Sequence, residues 1–554
     1  MSLRPQTVPS VPEETARIAR AAFPRGNLYM QIRDEIGILL TDADFADLFP
    51  IRGKAAYPPW RLALITIFQF IENLSDREAS DAVRARIDWK YALSLELENS
   101  GFDSTVLCEF RARLVAGKAE HLVFDKLLDW CRERKMLKAR GKQRTDSTHI
   151  LAVVRGINRL ECVLESMRFA LNAIAKESPN WLNQIMQEEW LHRYYVRGGN
   201  VRVPHSAAER QDFAETVGHD AHALLDAVYY WSDLLTDRKI EAVEILRRVV
   251  IQQFYVNEEG IHWRTDIEGT PPSIIFINSP YDLEAHYGKK RSLQWTGYKI
   301  YLTETCDEEL PHLITNVETS SAPVADFYLT EPIHRALEKK NLLPAMHLAD
   351  TGFVDAELIL AAEQNYNIDL LGPSHLDRQW QSRNNPKFCA ENFLIDWQRK
   401  KATCPAGKES SSWSDAKTET AKQVVKIKFS TKDCQVCSFR ADCTKSKRAR
   451  RTLTILPEVQ YESQRKIRER EKTPEYRKEY QRRSGIEGTI SQAVRGFGIR
   501  RSRYIGQAKT HLQQVVSATA INFVRVNKWL HEVPVAKTRQ PLFARVMREK
   551  GWQN

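Results

Sequence analysis

Apolar residues recur every three or four positions through the first part of the chain, which is the spacing of an amphipathic helix. The clearest run is Leu62, Ile65, Phe68 and Ile71. Ser75 and Glu78 then form a capping box, which predicts that the next helix begins there. We expect a helical segment over residues 1–56 and a separate helical domain over residues 57–138.

Basic residues lie on these short helices, at Arg84, Arg86, Arg111 and Arg113. Two interpretations fit them. The helices could form a helix-turn-helix unit that reads DNA, or a plain helical bundle, which is the commoner arrangement. The pattern of this domain alone leaves both open.

Strand signals begin at residues 142–154, where Thr, Ile and Val replace the helix-forming residues. Long amphipathic helices return over about 158–256. After them the pattern predicts, in order, strands at 297–304 and 312–317, a helix at 323–340, a strand at 345–350, a helix at 355–363 and a strand at 367–371.

Without the helical block, this order of strands and helices is that of a ribonuclease H-like α/β domain. In that fold the first and fourth strands lie side by side, so a carboxylate on each can meet at one edge of the sheet. We predict an α/β chain whose ribonuclease H-like core spans residues 139–374. A helical insertion over about 158–256 follows the first strand of this core.

Residues 375–474 break the regular pattern with stretches rich in Gln, Asn, Ser and Lys and with scattered cysteines. We predict here an irregular or β-rich insertion domain. Residues 475–554 are helical again and include an amphipathic helix over 510–530. We expect these C-terminal helices to return to the core.

Composition excludes several classes of protein. Hydrophobic residues make up 42% of the 554 residues, enough for several packed cores, so the chain is not a disordered tail. Nine cysteines are too few for a secreted disulfide framework. The longest apolar run, 62–74, is shorter than the ~20 residues of a bilayer span, and the first residues lack an apolar signal region. We expect a cytoplasmic protein with no membrane partner.

The positive charge of the chain is concentrated in one segment. Between Arg440 and Lys509 there are 20 Lys plus Arg and 8 Asp plus Glu, a balance of +12, whereas the whole chain carries +11. Such a block fits binding to the phosphate backbone of a nucleic acid, because each neutralised phosphate releases counterions. A solvated helical face explains the charge alone equally well.

Three acidic residues could meet at one edge of the predicted sheet. Asp146 lies on the first strand, and Asp350 ends the fourth, where Gly352 permits a tight turn directly after the acid. Glu487 begins an apolar helical stripe that would dock on the sheet. Three such carboxylates suit two Mg2+ or Mn2+ ions about 4 Å apart, the arrangement of two-metal phosphodiester chemistry. Taken singly, each acid is more often a surface residue or a turn former.

Tyr480, Arg483 and Glu487 are spaced to share one helical face. An aromatic ring and a guanidinium beside a metal-binding acid suit a distorted DNA end, because the ring can stack on a base while the arginine holds a phosphate. An arginine and a glutamate at this spacing also occur simply to stabilise a helix.

Four cysteines of the predicted insertion domain could hold a structural zinc ion: Cys404, Cys434, Cys437 and Cys443. Cys434 and Cys437 have the C-x2-C spacing of zinc sites, whereas the second pair is split between Cys404 and Cys443. Unligated reduced thiols are the alternative interpretation.

At these residues the chain resembles the DDE transposases of bacterial insertion sequences, over about 58–530. The motifs that carry the resemblance are Tyr-Pro-Pro-Trp at 57–60, Asp-Ser-Thr-His at 146–149, Trp-Thr-Gly-Tyr-Lys at 295–299, His-Leu-Ala-Asp-Thr-Gly-Phe at 347–353, Arg-Ser-Gly-Ile-Glu-Gly at 483–488, and the segment that begins at Arg501. The resemblance implies Asp146, Asp350 and Glu487 as an acidic catalytic triad that binds Mg2+. It also implies that the insertion before Glu487 contacts the transposon end.

Tyr480 and Arg483 match a signature of related transposases that ends in a lysine, where this chain has Val494. Arg495 is next to it, so a basic substitute is available, but its phosphate contact is open. We predict that the DNA-binding residues of this region are Tyr480, Arg483, Arg495, Arg500, Arg501, Arg503 and Lys509.

The function that the resemblance implies is transposition of a mobile element. Such an enzyme binds the terminal inverted repeats, cleaves phosphodiester bonds and transfers the 3' ends to target DNA. Its partner is double-stranded DNA, and a homodimer or larger homo-oligomer is expected because two ends must be brought together. We expect it in the bacterial cytoplasm, at the nucleoid. Two alternatives are a catalytically silent DNA-binding protein derived from a transposase and a related nuclease.

Overall fold

A computed structural model describes residues 1–201, 204, 206–231, 240–374, 379–419, 421–534 and 542–549. The chain divides into two compact units. One contains residues 1–137, 308–314 and 515–554, and the other contains residues 138–307 and 315–514. The predicted start of the insertion domain, residue 375, lies outside the described residues.

The first unit is helical. Its N-terminal helices are α1 Glu13–Ala22, α2 Leu28–Gln31, α3 Pro59–Glu72, α4 Asp76–Ala85, α5 Ile87–Ala92, α6 Thr105–Ala116 and α7 Leu122–Glu133. The predicted capping box is present at the start of α4, where Ser75 and Glu78 hydrogen-bond each other's backbone N–H groups. Helix α3 forms much of the core, and Ile65 and Phe68 are fully buried.

The four arginines on these helices all have partners within their own unit. Arg86 pairs with Glu72 and Asp88, and Arg111 is buried beside Asp76. Arg84 and Arg113 hydrogen-bond backbone carbonyls of this unit. Such contacts within the unit are what is expected of arginines in a packed helical bundle.

The second unit is built on a six-stranded sheet. In chain order the strands of this region are β1 Lys142–Leu151, β2 Phe254–Asn257, β3 Gly260–Trp263, β4 His286–Lys290, β5 Leu293–Thr305, β6 Ile314–Ser321, β7 Met346–Leu348 and β8 Asp369–Leu371. The spatial order is β4, β5, β1, β7, β8, and β6 also pairs with β5. Strand β1 is antiparallel to β5 and parallel to β7, and β7 is parallel to β8. The predicted mixed α/β class is confirmed, and the first and fourth predicted core strands are neighbours.

Strand β4 was not predicted from the sequence. It lies at the edge of the sheet, antiparallel to β5, and only alternate residues are buried. Its sequence, His-Tyr-Gly-Lys-Lys, lacks the β-branched residues from which a strand is predicted. Polar residues are tolerated there because one face and one edge of β4 remain in solvent.

Helices follow β1 and flank the later strands. They are α8 Arg159–Glu177, α9 Pro179–Ile185, α10 Glu188–Tyr194, α11 Ala207–Trp231, α12 Glu241–Gln253, α13 Thr330–Lys339 and α14 Ala356–Tyr366. The helices from α8 to α12 share a buried core that includes Trp190, Val217 and Leu246. A short hairpin of β2 and β3 follows them.

The cysteine-containing segment forms short strands and helices. They are α15 Trp380–Asn384, β9 Leu394–Asp396, β10 Lys401–Thr403, β11 Ser410–Lys417, β12 Gln423–Phe429, α16 Thr431–Gln435, α17 Arg440–Cys443 and β13 Thr452–Ile455. Strands β11, β12 and β13 form an antiparallel sheet whose buried side includes Ile427, Phe429 and Leu453.

The remaining helices are α18 Glu458–Glu471, α19 Pro474–Gln481, α20 Gly485–Phe497, α21 Gln507–Leu530 and α22 Leu542–Glu549. A 3-10 turn, Arg482–Ser484, joins α19 to α20. Helix α20 buries Ile486, Ile490 and Ala493, which are part of the apolar stripe predicted after Glu487. Among the described residues, no helix is both long and apolar enough to span a membrane.

Candidate functional site

Asp146 lies on β1, and Asp350 lies just beyond the end of the neighbouring parallel strand β7. The register pairs Arg144 of β1 with Leu348 of β7, and each acid lies two residues beyond that pair. The two acids therefore lie at the same level along these neighbouring segments. Burial raises the pKa of Asp146, the Ser147 N–H lowers it, and the charge of Asp350 raises it again.

Asp350 lies just past the end of its strand, because β7 stops at Leu348. It caps the 3-10 turn Thr351–Phe353, and its Oδ1 accepts the Gly352 N–H at 2.8 Å. The tight turn predicted directly after the acid is present. Gly352 does not adopt a positive φ in this turn, and a Cβ there would make a tight contact of 3.1 Å with Asp350 Oδ1.

Glu487 lies in the first turn of α20 and is joined to Asp146 through Arg483. The Arg483 guanidinium is 3.2 Å from Asp146 Oδ2 and 3.1 Å from Glu487 Oε1. It also lies 5.9 Å from the centre of the Tyr480 ring. The structure thus places Tyr480, Arg483 and Glu487 together as their spacing predicted, although a 3-10 turn interrupts the helix between them.

Arg483 is the local counter-charge for the acids. Burial lowers the pKa of Arg483, but the charges of Tyr480, Asp146, Asp350 and Glu487 raise it above its ordinary value. All three carboxylates therefore act on one guanidinium.

Carboxylate oxygens are the ligands that Mg2+ and Mn2+ prefer, so the chemistry of these three side chains fits such ions. Among the described residues, however, no three acidic, histidine or cysteine side chains are already arranged as a metal-binding group. Arg483 supplies a cation that contacts two of these acids directly.

A second arginine, Arg144, contacts the turn before α20 from the buried side. Arg144 is buried and contacts Glu304 of β5 through Nε at 2.8 Å and Nη2 at 2.7 Å. Its Nη1 donates to the Arg482 carbonyl at 2.6 Å, and the Thr489 hydroxyl donates to Glu304 Oε2 at 2.5 Å. We call Arg144, Glu304 and Thr489 the buried clamp.

Sequence reasoning missed the buried clamp. Arg144 is two residues before Asp146 on the same strand, and Glu304 lies in a strand of mostly apolar and Thr residues. A charged residue inside a buried strand could have signalled a buried partner, because such charges are rarely left unpaired.

A fourth carboxylate, Asp326, was also missed. It accepts hydrogen bonds from Ser147 Oγ at 3.1 Å, Lys299 Nζ at 3.0 Å and Tyr301 OH at 3.2 Å. These partners place Asp326 beside β1 and explain the lysine of the Trp-Thr-Gly-Tyr-Lys motif. The two carboxylate oxygens of Asp326 already accept three hydrogen bonds. We therefore interpret Asp326 as a support for the site.

Two family profiles match this chain. Residues 403–527 match the profile described as "Transposase DDE domain", and residues 17–113 match "Transposase domain (DUF772)". Both matches support a DDE transposase of the insertion-sequence type. The DDE match includes Glu487 and the four cysteines, whereas Asp146 and Asp350 lie outside both matches. No curated protein matches the sequence.

The family assignment carries general properties with it. A DDE transposase domain implies nuclease or transposition activity and DNA binding, and DDE transposases generally use divalent metal ions. These properties agree with an oxygen-only set of acidic side chains at one sheet edge.

Basic residues of the transposase extend this edge. The Arg500 carbonyl accepts the Leu151 N–H at the end of β1, and Arg500 Nε donates to Thr148 Oγ1 at 2.9 Å. Arg501 and Lys509 are exposed, and Arg503 is partly buried. Arg495 is exposed on α20, beyond Glu487.

Three other residues of the sequence motifs serve packing. Trp295 and Tyr298 are buried, and the Trp295 indole N–H donates to the Tyr298 carbonyl at 3.0 Å. The His149 ring lies 5.6 Å from the Trp295 ring. Burial, followed by the charges of Arg500 and Lys290, lowers the pKa of His149, so its neutral form is favoured.

The four predicted cysteines line one small cavity of the transposase, of about 30 Å³. Burial raises the pKa of Cys443 to about 11; Arg451 lowers it, and Cys434, Cys404 and Cys437 raise it. The structure therefore brings together thiols that come from three separate segments of the chain.

Proposed function

We propose that this transposase binds the terminal inverted repeats of its own element, cleaves phosphodiester bonds at the ends and transfers the 3' ends to target DNA. One observation carries the proposal. Asp146 on β1 and Asp350 just beyond the parallel strand β7 lie in equivalent register, and Arg483 contacts both Asp146 and Glu487. These contacts support the proposal that three carboxylates from distant parts of the sequence act together.

The core that holds these residues is proposed to be ribonuclease H-like. The strand order supports this, because β1 is central, antiparallel to β5 and parallel to β7, with β8 parallel beyond it. The helical block after β1 and the cysteine-containing segment before Glu487 are then insertions into this core.

Asp146, Asp350 and Glu487 would hold two Mg2+ or Mn2+ ions. Such ions activate an attacking oxygen and stabilise the leaving oxygen in phosphodiester chemistry. Within the chain, Arg483 would exchange its carboxylate partners for a DNA phosphate, and the adjacent Tyr480 ring would stack on a base of the distorted end. The buried clamp would keep Glu487 in place during this exchange.

Binding to the DNA backbone is proposed for Arg495, Arg500, Arg501, Arg503 and Lys509. Their segment runs from α20 past the end of β1, so a duplex held there would pass the carboxylates. We further propose that a homodimer or larger homo-oligomer acts, since two element ends must be joined.

The test is cleavage of labelled element ends in Mg2+ by the wild-type chain and by Asp350→Asn. Asparagine keeps the oxygen that accepts the Gly352 N–H, so only the charge is removed. We expect cleavage to fall about a thousandfold or more while binding to the ends is retained.

The matched control is Asp355→Asn, because Asp355 also caps a helix, by accepting the Leu358 N–H at 2.9 Å. This variant should cleave normally. Full cleavage by Asp350→Asn would contradict the assignment of the carboxylates. End binding without cleavage by the wild-type chain would favour a silent DNA-binding protein, and cleavage without preference for the ends would favour a nuclease.

A further inference from the structure

The turn that contains Cys404 presents its sulfur as a hydrogen-bond acceptor. Cys404 follows β10, and its backbone exchanges hydrogen bonds with Lys408 and Gly407 across a tight turn. Gly407 has a φ of +78°, which the turn requires and which favours glycine. The Lys408 N–H donates to Cys404 Sγ at 3.4 Å. Such a donor stabilises negative charge on the sulfur.

The other three cysteines come from two short helices after β12 and from the turn that joins these helices. Cys434 lies in α16, Cys437 closes the turn after it by donating its N–H to the Cys434 carbonyl at 3.4 Å, and Cys443 ends α17. Cys404, Cys434 and Cys443 also pack against the buried side of the sheet formed by β11, β12 and β13.

The cavity between these segments has the size and lining of an ion site. Its volume of about 30 Å³ suits a single ion and excludes an organic ligand. Phe388 and Phe429 form its apolar wall, and its charged lining residues are three basic ones and one acid: Lys408, Arg440, Arg451 and Asp433. Basic neighbours would offset the negative charge that four thiolates leave on a divalent ion.

We propose that Cys404, Cys434, Cys437 and Cys443 bind one structural Zn2+ ion. Four thiolates form the closed tetrahedral set of structural zinc sites, and one C-x2-C pair supplies two of them. No group of three ligands is preformed in the described part of the chain, so binding turns the four sulfurs inward from the cavity wall.

Zinc would also stabilise the fold of this region, because its hydrophobic core is small. The buried core beside the cysteines consists of few residues, mainly from β12 and β13, and small cores of this kind usually need a cross-link or a metal. One ion would tie the Cys404 turn to α16 and α17. The proposal does not rest on the catalytic assignment.

The experiment measures zinc in the full chain, purified under reducing conditions from zinc-supplemented cells. We expect about one zinc per chain, released when a mercurial reagent modifies the thiols. Cys434→Ser and Cys443→Ser should contain much less zinc. Cys389→Ser is the matched control, because Cys389 is buried in the same region but does not line the cavity.

Cobalt substitution of the wild-type chain tests the ligands without any variant that could misfold. Thiolate-to-cobalt charge transfer and tetrahedral ligand-field bands would support four-sulfur coordination. Absence of zinc, unchanged zinc in Cys434→Ser, or a disulfide among these cysteines in the native chain would overturn the proposal. Asp350→Asn should retain its zinc, so failure of this proposal and failure of the catalytic assignment are separate outcomes.

Discussion

Arg144 and Arg483 each contact carboxylates near the start of α20, and the surroundings of the two arginines differ. Arg144 and Glu304 form a pair whose side chains are 6% and 0% exposed. Arg483 contacts Asp146 and Glu487, and the Glu487 side chain is 65% exposed. Arg144 contacts the junction of α19 and α20 from within the core, through the Arg482 carbonyl. Arg483 is itself part of that junction.

The difference in burial separates two tasks. A buried ion pair cannot be opened without leaving an uncompensated charge, so the buried clamp is a permanent part of the fold. Arg483 and Asp146 are only 17% and 15% exposed, but Glu487 is near water, where its ion pair with Arg483 contributes little and can be exchanged. The site therefore combines a fixed support with an exchangeable ion pair, which is what the proposed binding of metal ions and DNA phosphates would require.

The largest expected effect comes from Glu304→Gln. The variant preserves side-chain shape but leaves Arg144 without its buried counter-charge, so the free energy of unfolding should fall by about 3–5 kcal/mol. Cleavage should be lost with it, because the start of α20 is no longer held. Urea unfolding of the purified variant measures the loss.

Glu487→Gln sharpens this comparison. Its exposed carboxylate should contribute less than about 1 kcal/mol to stability, while cleavage is abolished because a metal ligand is removed. If both variants lost the same stability, the division into a fixed support and an exchangeable contact would be wrong.

A medium effect is expected for Gly485→Ala. Gly485 has ordinary helical dihedrals, but a Cβ there would overlap the Arg144 guanidinium. We expect a loss of about 1–3 kcal/mol from overpacking. Displacement of the Glu487 turn should also slow cleavage about a hundredfold.

Gly496→Ala is the matched control within the same helix. A Cβ at Gly496 meets nothing within 4 Å, so the substitution should raise helix stability, by up to about 1 kcal/mol, and leave cleavage unchanged. If Gly485→Ala and Gly496→Ala had the same stability and the same cleavage rate, the overlap with Arg144 would not matter for folding or cleavage.

The smallest effect is expected for Arg495→Gln, which tests whether Arg495 replaces the missing signature lysine. Removing one phosphate contact should reduce the slope of log binding constant against log salt concentration by about 1 and leave stability unchanged. Binding titrations at several salt concentrations measure the slope. Arg335→Gln, an exposed arginine of α13 paired with Glu331, should keep the wild-type slope.

The sequence by itself determined the α/β class of the chain and predicted which acidic residues to look for. Helical and strand periodicity gave the α/β order because burial imposes period 3.6 on helices and period 2 on strands. The spacing of Tyr480, Arg483 and Glu487 placed them on one face, and the structure has them in contact. Local signals of this kind depend only on neighbours along the chain.

Only the tertiary structure decided what joins distant residues. The register that aligns Asp146 with Asp350, the pairing of Arg144 with Glu304, the donors around Asp326 and the meeting of Cys404 with Cys434 all link separate segments. Strand register and the choice of partner for each buried side chain set these contacts, and neither leaves a periodic signal in the sequence. A buried charge looks like a surface charge until packing shows which partner has replaced water.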